Sequence, residues 1–253
     1  MRPNRLRELA AANQTALVGW MSIASPYAAE LLGHAGFDAV LIDLQHGPFY
    51  LDAAVPMLQA LSATPAMPMV RCSGNNFFEI GKLLDAGAYS VICPLIEDAD
   101  DARRFVGACR YPPMGSRSYG PTRGFLYGGA DYFEQANHTI VSWAMIETPQ
   151  SIRELGAICA VDGLDGVFIG PTDLSISLGM KPPLRWREAP VAAEIARVLD
   201  TARAAGKMAG IYCTTPEMAV DMRRAGFDMI VLANDAVMLN AAARQWISTA
   251  REG

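Results

Sequence analysis

His46, one of only three histidines in the chain, stands in the stretch AVLIDLQHGPF (39–49), directly after an apolar run. Ala39 to Ile42 read as a buried strand; Asp43, Gln45 and His46 follow, and Gly47-Pro48 breaks the chain. A histidine at a strand end is a candidate base. Other strand ends carry chemistry too. MPMVRC delivers Arg71, VSWAMIETP delivers Glu147 ahead of a Thr148-Pro149 helix start, and GVFIGPTDLS carries Asp173 just past Gly170-Pro171. Glu147 and Asp173 are one strand–helix unit apart, so they fall side by side on one rim. Two neighbouring carboxylates repel unless a cation sits between them or one takes up a proton. Oxygen donors alone favour Mg²⁺ or Mn²⁺ over zinc, and no His-x₃-His pair or cysteine cluster offers a zinc site.

Taken singly, each residue has an ordinary reading. Arg71 could pair with Asp43 or Glu79, Glu147 could be a charge at a helix terminus, and Asp173 could be a turn or cap residue. Their convergence on one rim is what points to a site. His34, near the end of a helix, and His138, ahead of the fifth strand on the opposite rim, read as structural. An imine mechanism needs a lysine at the active rim. Lys82 falls in a helix, Lys207 precedes a strand on the wrong rim, and Lys181 lies in a loop with Pro182-Pro183, so a metal-held mechanism is favoured over a covalent one.

The elements that must position these residues follow a repeated pattern: a helix ending in a small residue and glycine, a polar step, then an apolar run. HAGFDAVLID (34–43), DAGAYSVICP (85–94), VDGLDGVFIG (161–170) and RAGFDMIVLA (224–233) share it. The runs have the mark of strands buried on both faces, and Ser25-Pro26, Thr148-Pro149 and Thr215-Pro216 are helix starts between them. Eight strands are expected, at 16–23, 37–44, 67–72, 90–96, 139–146, 165–170, 207–213 and 228–233. Eight such units in 253 residues are the size of a (β/α)8 TIM barrel. The rival, a doubly wound open sheet, lacks a G-x-G-x-x-G fingerprint after the first strand. No Pro/Gly-rich linker divides the chain, so residues 1–253 are expected to form a single domain. Residues 111–138, rich in Gly, Pro, Tyr and Arg, are expected to form a long loop insertion with a functional or interface role.

The bulk properties bound the partners. Apolar residues make up 51% and charged ones 19%, with a net charge of −5, which argues against nucleic acid. The uncharged stretches 9–29 and 53–70 are interrupted by polar residues or prolines, so no membrane span is expected. Five cysteines without a framework suit a reducing compartment, and a cytoplasmic location is expected.

With these residues in view, LIDLQHGPF, MVRCSGNN, LLDAGA, YPPMGSRS, AMIETPQSI and DGVFIGPTDLSISLG give the chain, from about 5 to 248, a resemblance to the HpcH/HpaI aldolases, class II metal-dependent pyruvate aldolases typified by 4-hydroxy-2-oxoheptanedioate aldolase. The resemblance implies cleavage of a 4-hydroxy-2-oxoacid to pyruvate and an aldehyde. It implies Glu147 and Asp173 as ligands of a divalent cation (Mg²⁺ or Mn²⁺, with Co²⁺ a third option). His46 would be the base, and Asp85 would raise its basicity across a subunit contact. Arg71 would hold the pyruvyl oxygen and stabilise the enolate, and the backbone near Gly170, Pro171 and Thr172 would bind the carboxylate. A homo-oligomer, a hexamer built as a trimer of dimers, with the last helix exchanged between subunits, is also implied. Two positions depart from the family pattern. Gln45 replaces a glutamate found in several members, and Met145 replaces a glutamine that points toward substrate, which suggests an altered acceptor pocket. Tyr119, Phe125 and Tyr127 of the 111–138 segment are candidate contacts for the acceptor.

Two other functions compete. A lyase of the citryl/malyl-CoA type would need basic residues along a groove for the nucleotide tail, for which Arg117 and Arg123 are candidates. A non-catalytic barrel that binds a 2-oxoacid would be expected to have lost one of His46, Arg71, Glu147 or Asp173, and all four are present.

Overall fold

Each apolar run of the repeat becomes a strand of one parallel sheet in the computed structural model, which describes residues 1–252. The strands are β1 (Ala16–Met21), β2 (Ala39–Asp43), β3 (Met67–Arg71), β4 (Ser90–Cys93), β5 (Val141–Ile146), β6 (Gly166–Ile169), β7 (Met208–Tyr212) and β8 (Met229–Asn234). They pair in chain order and close through β8 and β1 into a barrel. Every residue of β2 to β6 is buried, because the barrel interior covers one face and the outer helices cover the other. The doubly wound alternative is thereby excluded.

The helices are α1 (Arg5–Ala11), α2 (Pro26–Gly33), α3 (Leu51–Leu61), α4 (Phe77–Asp85), α5 (Ala99–Cys109), α6 (Thr122–Gly128), α7 (Tyr132–Thr139), α8 (Pro149–Arg153), α9 (Leu155–Cys159), α10 (Pro171–Ser177), α11 (Val191–Ala204), α12 (Pro216–Ala225) and α13 (Asp235–Arg251). The starts of α2, α8 and α12 follow the Ser/Thr-Pro signals. Ser25 Oγ accepts from the Ala28 N–H, Thr215 Oγ1 from that of Met218, and Thr148 forms a reciprocal capping box with Ser151. α1 closes the N-terminal rim: Leu6 and Leu9 are buried, and Arg7 reaches the Thr139 and Ile140 carbonyls and Asp165 just before β5 and β6.

Two expectations change. Residues 111–138 do not form a loop throughout, since α6 and α7 occupy much of the segment. Their N-cap positions, Pro121 and Asp131, make no side-chain capping bond, so no start signal marks them. They are held instead by rings of Tyr111, Tyr119, Phe125, Tyr132 and Phe133 packed against one another. β4 stops at Cys93 rather than running to 96, because Pro94 cannot donate to a ladder and Leu95 turns into the left-handed region at φ 53°. At the other end of the chain, α13 buries only Asp235 and leaves Val237, Leu239, Trp246 and Ile247 exposed.

Candidate active site

A cavity of about 490 Å³ opens at the C-terminal ends of the strands, and it gathers most of the residues singled out above. His46, Arg71, Met145, Gly170, Pro171, Thr172 and Asp173 all line it. Glu147 is buried alongside. Among the described residues none of the three lysines lines the cavity; Lys207 instead donates to the Val161 and Leu164 carbonyls.

β2 and β3 pair with Asp43 opposite Arg71, and the two side chains form a forked ion pair. Nε donates to Oδ1 at 2.8 Å and Nη2 to Oδ2 at 2.7 Å, with both residues buried. Asp43 also accepts from the Trp20 indole at 3.1 Å and from the Gln45 and His46 N–H groups at 3.1 and 3.4 Å. One carboxylate therefore fixes both Arg71 and the turn that carries His46. Gly47 completes that turn: its N–H donates to the Asp43 carbonyl, and a Cβ would lie 2.2 Å from that oxygen. The His46 side chain is exposed and makes no hydrogen bond among the described residues. Gln45 is half-buried, its Oε1 without a partner.

Glu147 is held from three directions. Its N–H donates to Ser151 Oγ, its carbonyl accepts from Ser177 Oγ, and its Oε1 accepts from the Leu95 N–H at 2.9 Å. The last bond uses the left-handed turn at Leu95 to aim the amide. Burial, and then Asp173 nearby, raise the Glu147 carboxyl above the ordinary carboxylate range, while the Leu95 N–H and Arg71 oppose the shift. Asp173 sits in the first turn of α10, where a negative charge suits the helix. Gly170 lets the strand end approach closely, since a Cβ there would lie 2.4 Å from Met145 Cε and 3.0 Å from Glu147 Oε2.

The donor set fits a hard divalent cation. Oε2 of Glu147 and both Asp173 oxygens make no hydrogen bond among the described residues, and such paired carboxylates suit Mg²⁺ or Mn²⁺. No group of three or more His, Cys, Asp or Glu gathers among the described residues, so two carboxylates would be the protein's whole contribution from those residue types.

Other candidates lie elsewhere. Asp85 ends α4 on the opposite rim, where it pairs with the buried Arg117 at 2.7 Å; within one chain it is not part of the cavity. Tyr119, Phe125 and Tyr127 share that rim, because the 111–138 segment joins the end of α5 to the start of β5. They do not line the cavity of their own chain. His34 and His138 are likewise exposed away from it. The sequence reading missed Trp20, Ser22, Ile23, Phe168, Tyr212, Asn234 and Ala236, which also line the cavity. For Trp20, Ser22 and Asn234, position at the ends of β1 and β8 was the available signal.

The profile of the HpcH/HpaI aldolase/citrate lyase family matches residues 16–239. The chain is 43% identical over 248 residues to a hydroxypyruvate/pyruvate aldolase of Rhizorhabdus wittichii, covering 98% of this chain and 99% of that one. It is 38% identical over 223 residues to a 4-hydroxy-2-oxo-heptane-1,7-dioate aldolase of Salmonella dublin, covering 87% and 84%. Among solved structures, an HpcH/HpaI aldolase/citrate lyase family protein of Burkholderia cenocepacia superposes with a TM-score of 0.90 at 32% identity, over 97% of this chain and 98% of that one.

Proposed function

The chain belongs to the HpcH/HpaI aldolase/citrate lyase family, and on that premise we propose that it is a divalent-metal-dependent pyruvate aldolase, cleaving a 4-hydroxy-2-oxoacid to pyruvate and an aldehyde. The observation that carries this reading is the pairing of Glu147 and Asp173, both with free oxygens, beside an arginine whose remaining nitrogen adjoins the same cavity.

Breaking the C3–C4 bond leaves the electron pair on pyruvate as an enolate, whose charge must be stabilised as it develops. Glu147 and Asp173 would hold the cation, Mg²⁺ or Mn²⁺ with Co²⁺ a third option. A bound divalent cation supplies Lewis-acid stabilisation of that enolate, on the order of several kcal/mol. Arg71 commits Nε and Nη2 to Asp43, so Nη1 is the donor for the pyruvyl oxygen. The Gly170 N–H is engaged by the Ile146 carbonyl and Pro171 has none, so the Thr172 and Asp173 N–H groups in the first turn of α10 are the donors for the pyruvate carboxylate. An imidazole nitrogen of His46 takes the C4 hydroxyl proton as the bond breaks.

Asp85 lies on the opposite rim of its own chain, so its proposed role at His46 requires a neighbouring subunit and hence a homo-oligomer. The apolar, uncovered α13 supports exchange of that helix between subunits, and a hexamer built as a trimer of dimers is the proposed assembly. No helix among the described residues is long and apolar enough to cross a membrane, and the free cysteines suit a cytoplasmic location. The test is pyruvate release from a 4-hydroxy-2-oxoacid, followed by a lactate dehydrogenase couple. Release that stops with EDTA and returns with Mg²⁺ or Mn²⁺ supports the proposal; release that is indifferent to metal refutes it.

A further inference from the structure

One wall of the cavity is not used by the chemistry above. In the closed eight-strand order, β1 stands across the barrel from β5, and β8 across from β4. The ends of β1 and β8 contribute Ser22, Ile23, Asn234 and Ala236 to the cavity lining, opposite the side that carries Glu147. His46, after β2, stands next to this wall, so the wall borders the part of the substrate beyond C4.

Asp235, buried at the start of α13, sets its form. Oδ1 accepts from the Ser22 N–H at 2.8 Å, Ser22 Oγ at 3.0 Å and the Ala236 N–H at 2.9 Å, and Oδ2 accepts from the Ile23 N–H at 3.1 Å. This pins the end of β1 to the first turn of α13 and places a carboxylate directly behind the wall. Asn234 Oδ1 accepts from the Val237 N–H at 2.9 Å, which leaves Nδ2 a free donor among the described residues. Ser22 Oγ donates to Asp235 and keeps its lone pairs.

The charges around the cavity are unbalanced. Among the described residues of one chain, Arg71 is the only Lys or Arg that lines it, and Asp43 already neutralises Arg71. Glu147 and Asp173 would be matched by a divalent cation, and Asp235 has N–H and O–H partners but no cation partner among the described residues. A second carboxylate on the acceptor side would lose water, find no free cation among the described residues of this chain and lie beside the Asp235 carboxylate. A neutral hydroxyl group there could accept from Asn234 Nδ2 and donate to Ser22 Oγ.

We infer that the acceptor half of the substrate is an uncharged, hydroxylated short-chain aldehyde; the inference rests on the aldolase reading proposed above. The test compares aldol addition of pyruvate to glycolaldehyde, glyceraldehyde, propanal, glyoxylate and 4-oxobutanoate, using the assembled full-length protein with Mg²⁺ or Mn²⁺. The assembled protein is needed so that any cation brought by a neighbouring subunit is counted. Deuterium exchange at the pyruvate methyl group is measured in parallel without an aldehyde. The expected result is metal-dependent exchange, with kcat/KM for the hydroxylated neutral aldehydes about tenfold or more above those for both anionic ones and above that for propanal. Ala236→Lys, which puts a cation on the wall, should raise kcat/KM for 4-oxobutanoate relative to glycolaldehyde by about tenfold. Exchange together with a preference for the anionic aldehydes, or for propanal, overturns this inference and leaves the aldolase reading standing. Absence of exchange overturns the aldolase reading, and this inference falls with it.

Discussion

Arg71 and Asp43 are joined by two parallel hydrogen bonds of 2.8 and 2.7 Å, and Nη1 is left 3.9 Å from the thioether sulfur of Met145. The pair is buried on both sides, so each partner depends on the other for charge balance. Asp43→Ala should therefore lower stability by about 3–5 kcal/mol, because it leaves a guanidinium buried and unpaired. Removing both charges in Asp43→Ala/Arg71→Met should cost less than the single change. Urea denaturation of the single and double variants checks this; a single variant as stable as wild type would show that the pair is solvated.

Gly170→Ala tests the close packing behind the cavity. A Cβ would lie 2.4 Å from Met145 Cε and 3.0 Å from Glu147 Oε2, so it must displace one or both. Metal affinity should fall about 10- to 100-fold, as when a ligand loses its support. Isothermal titration with Mn²⁺ reads the effect, and adding Met145→Ala should restore part of it. Unchanged affinity in Gly170→Ala would mean that Glu147 is not placed by this approach.

The Glu147 carboxyl gives a pH dependence in metal-free protein. Burial raises its pKa above the ordinary 4.5, with Asp173 adding to the shift. A raised folded-state value means that the folded protein holds the proton longer than the unfolded chain does. The stability this contributes is complete below about 4.5 and is lost as pH rises through the raised value. In EDTA, wild type should thus lose stability relative to Glu147→Gln as pH climbs from 4.5 toward neutrality, and saturating Mn²⁺ should reverse the order at neutral pH. Thermal melts of both proteins across that range check the sign. A metal-free wild type that gains on the variant with rising pH would contradict it.

The sequence made the barrel legible because parallel strands buried on both faces write continuous apolar runs, and their ends mark the active rim. That sufficed to place His46, Arg71, Glu147 and Asp173 at one rim, whereas Met145 was singled out only by the family resemblance. The partner of Arg71 stayed open between Asp43 and Glu79; strand register chose Asp43, and Glu79 instead accepts from Ser73. The β1–β8 wall was not legible, since Asp235 reaches Ser22 and Ile23 only once the barrel closes. α6 and α7 were missed because their starts lack a side-chain cap. Tyr119, Phe125 and Tyr127 stay away from the cavity of their own chain for a topological reason: a segment entering β5 lies at the N-terminal rim.

The exposed apolar side of α13 predicts an assembly. Leu239 and Trp246 are 64% and 80% exposed, more apolar surface than a terminal helix leaves uncovered without cost. Leu239→Glu/Trp246→Glu should shift the protein to a smaller species in light scattering coupled to size-exclusion chromatography. An unchanged mass would remove α13 from the interface.

The most direct test of the central claim is proton NMR of pyruvate in D₂O, following deuterium exchange at its methyl group with Mg²⁺ or Mn²⁺ and then with EDTA. It asks only whether the enolate forms, with no aldehyde present. Exchange that requires metal and is lost in Glu147→Gln is the predicted result. Metal binding without exchange would contradict the aldolase reading.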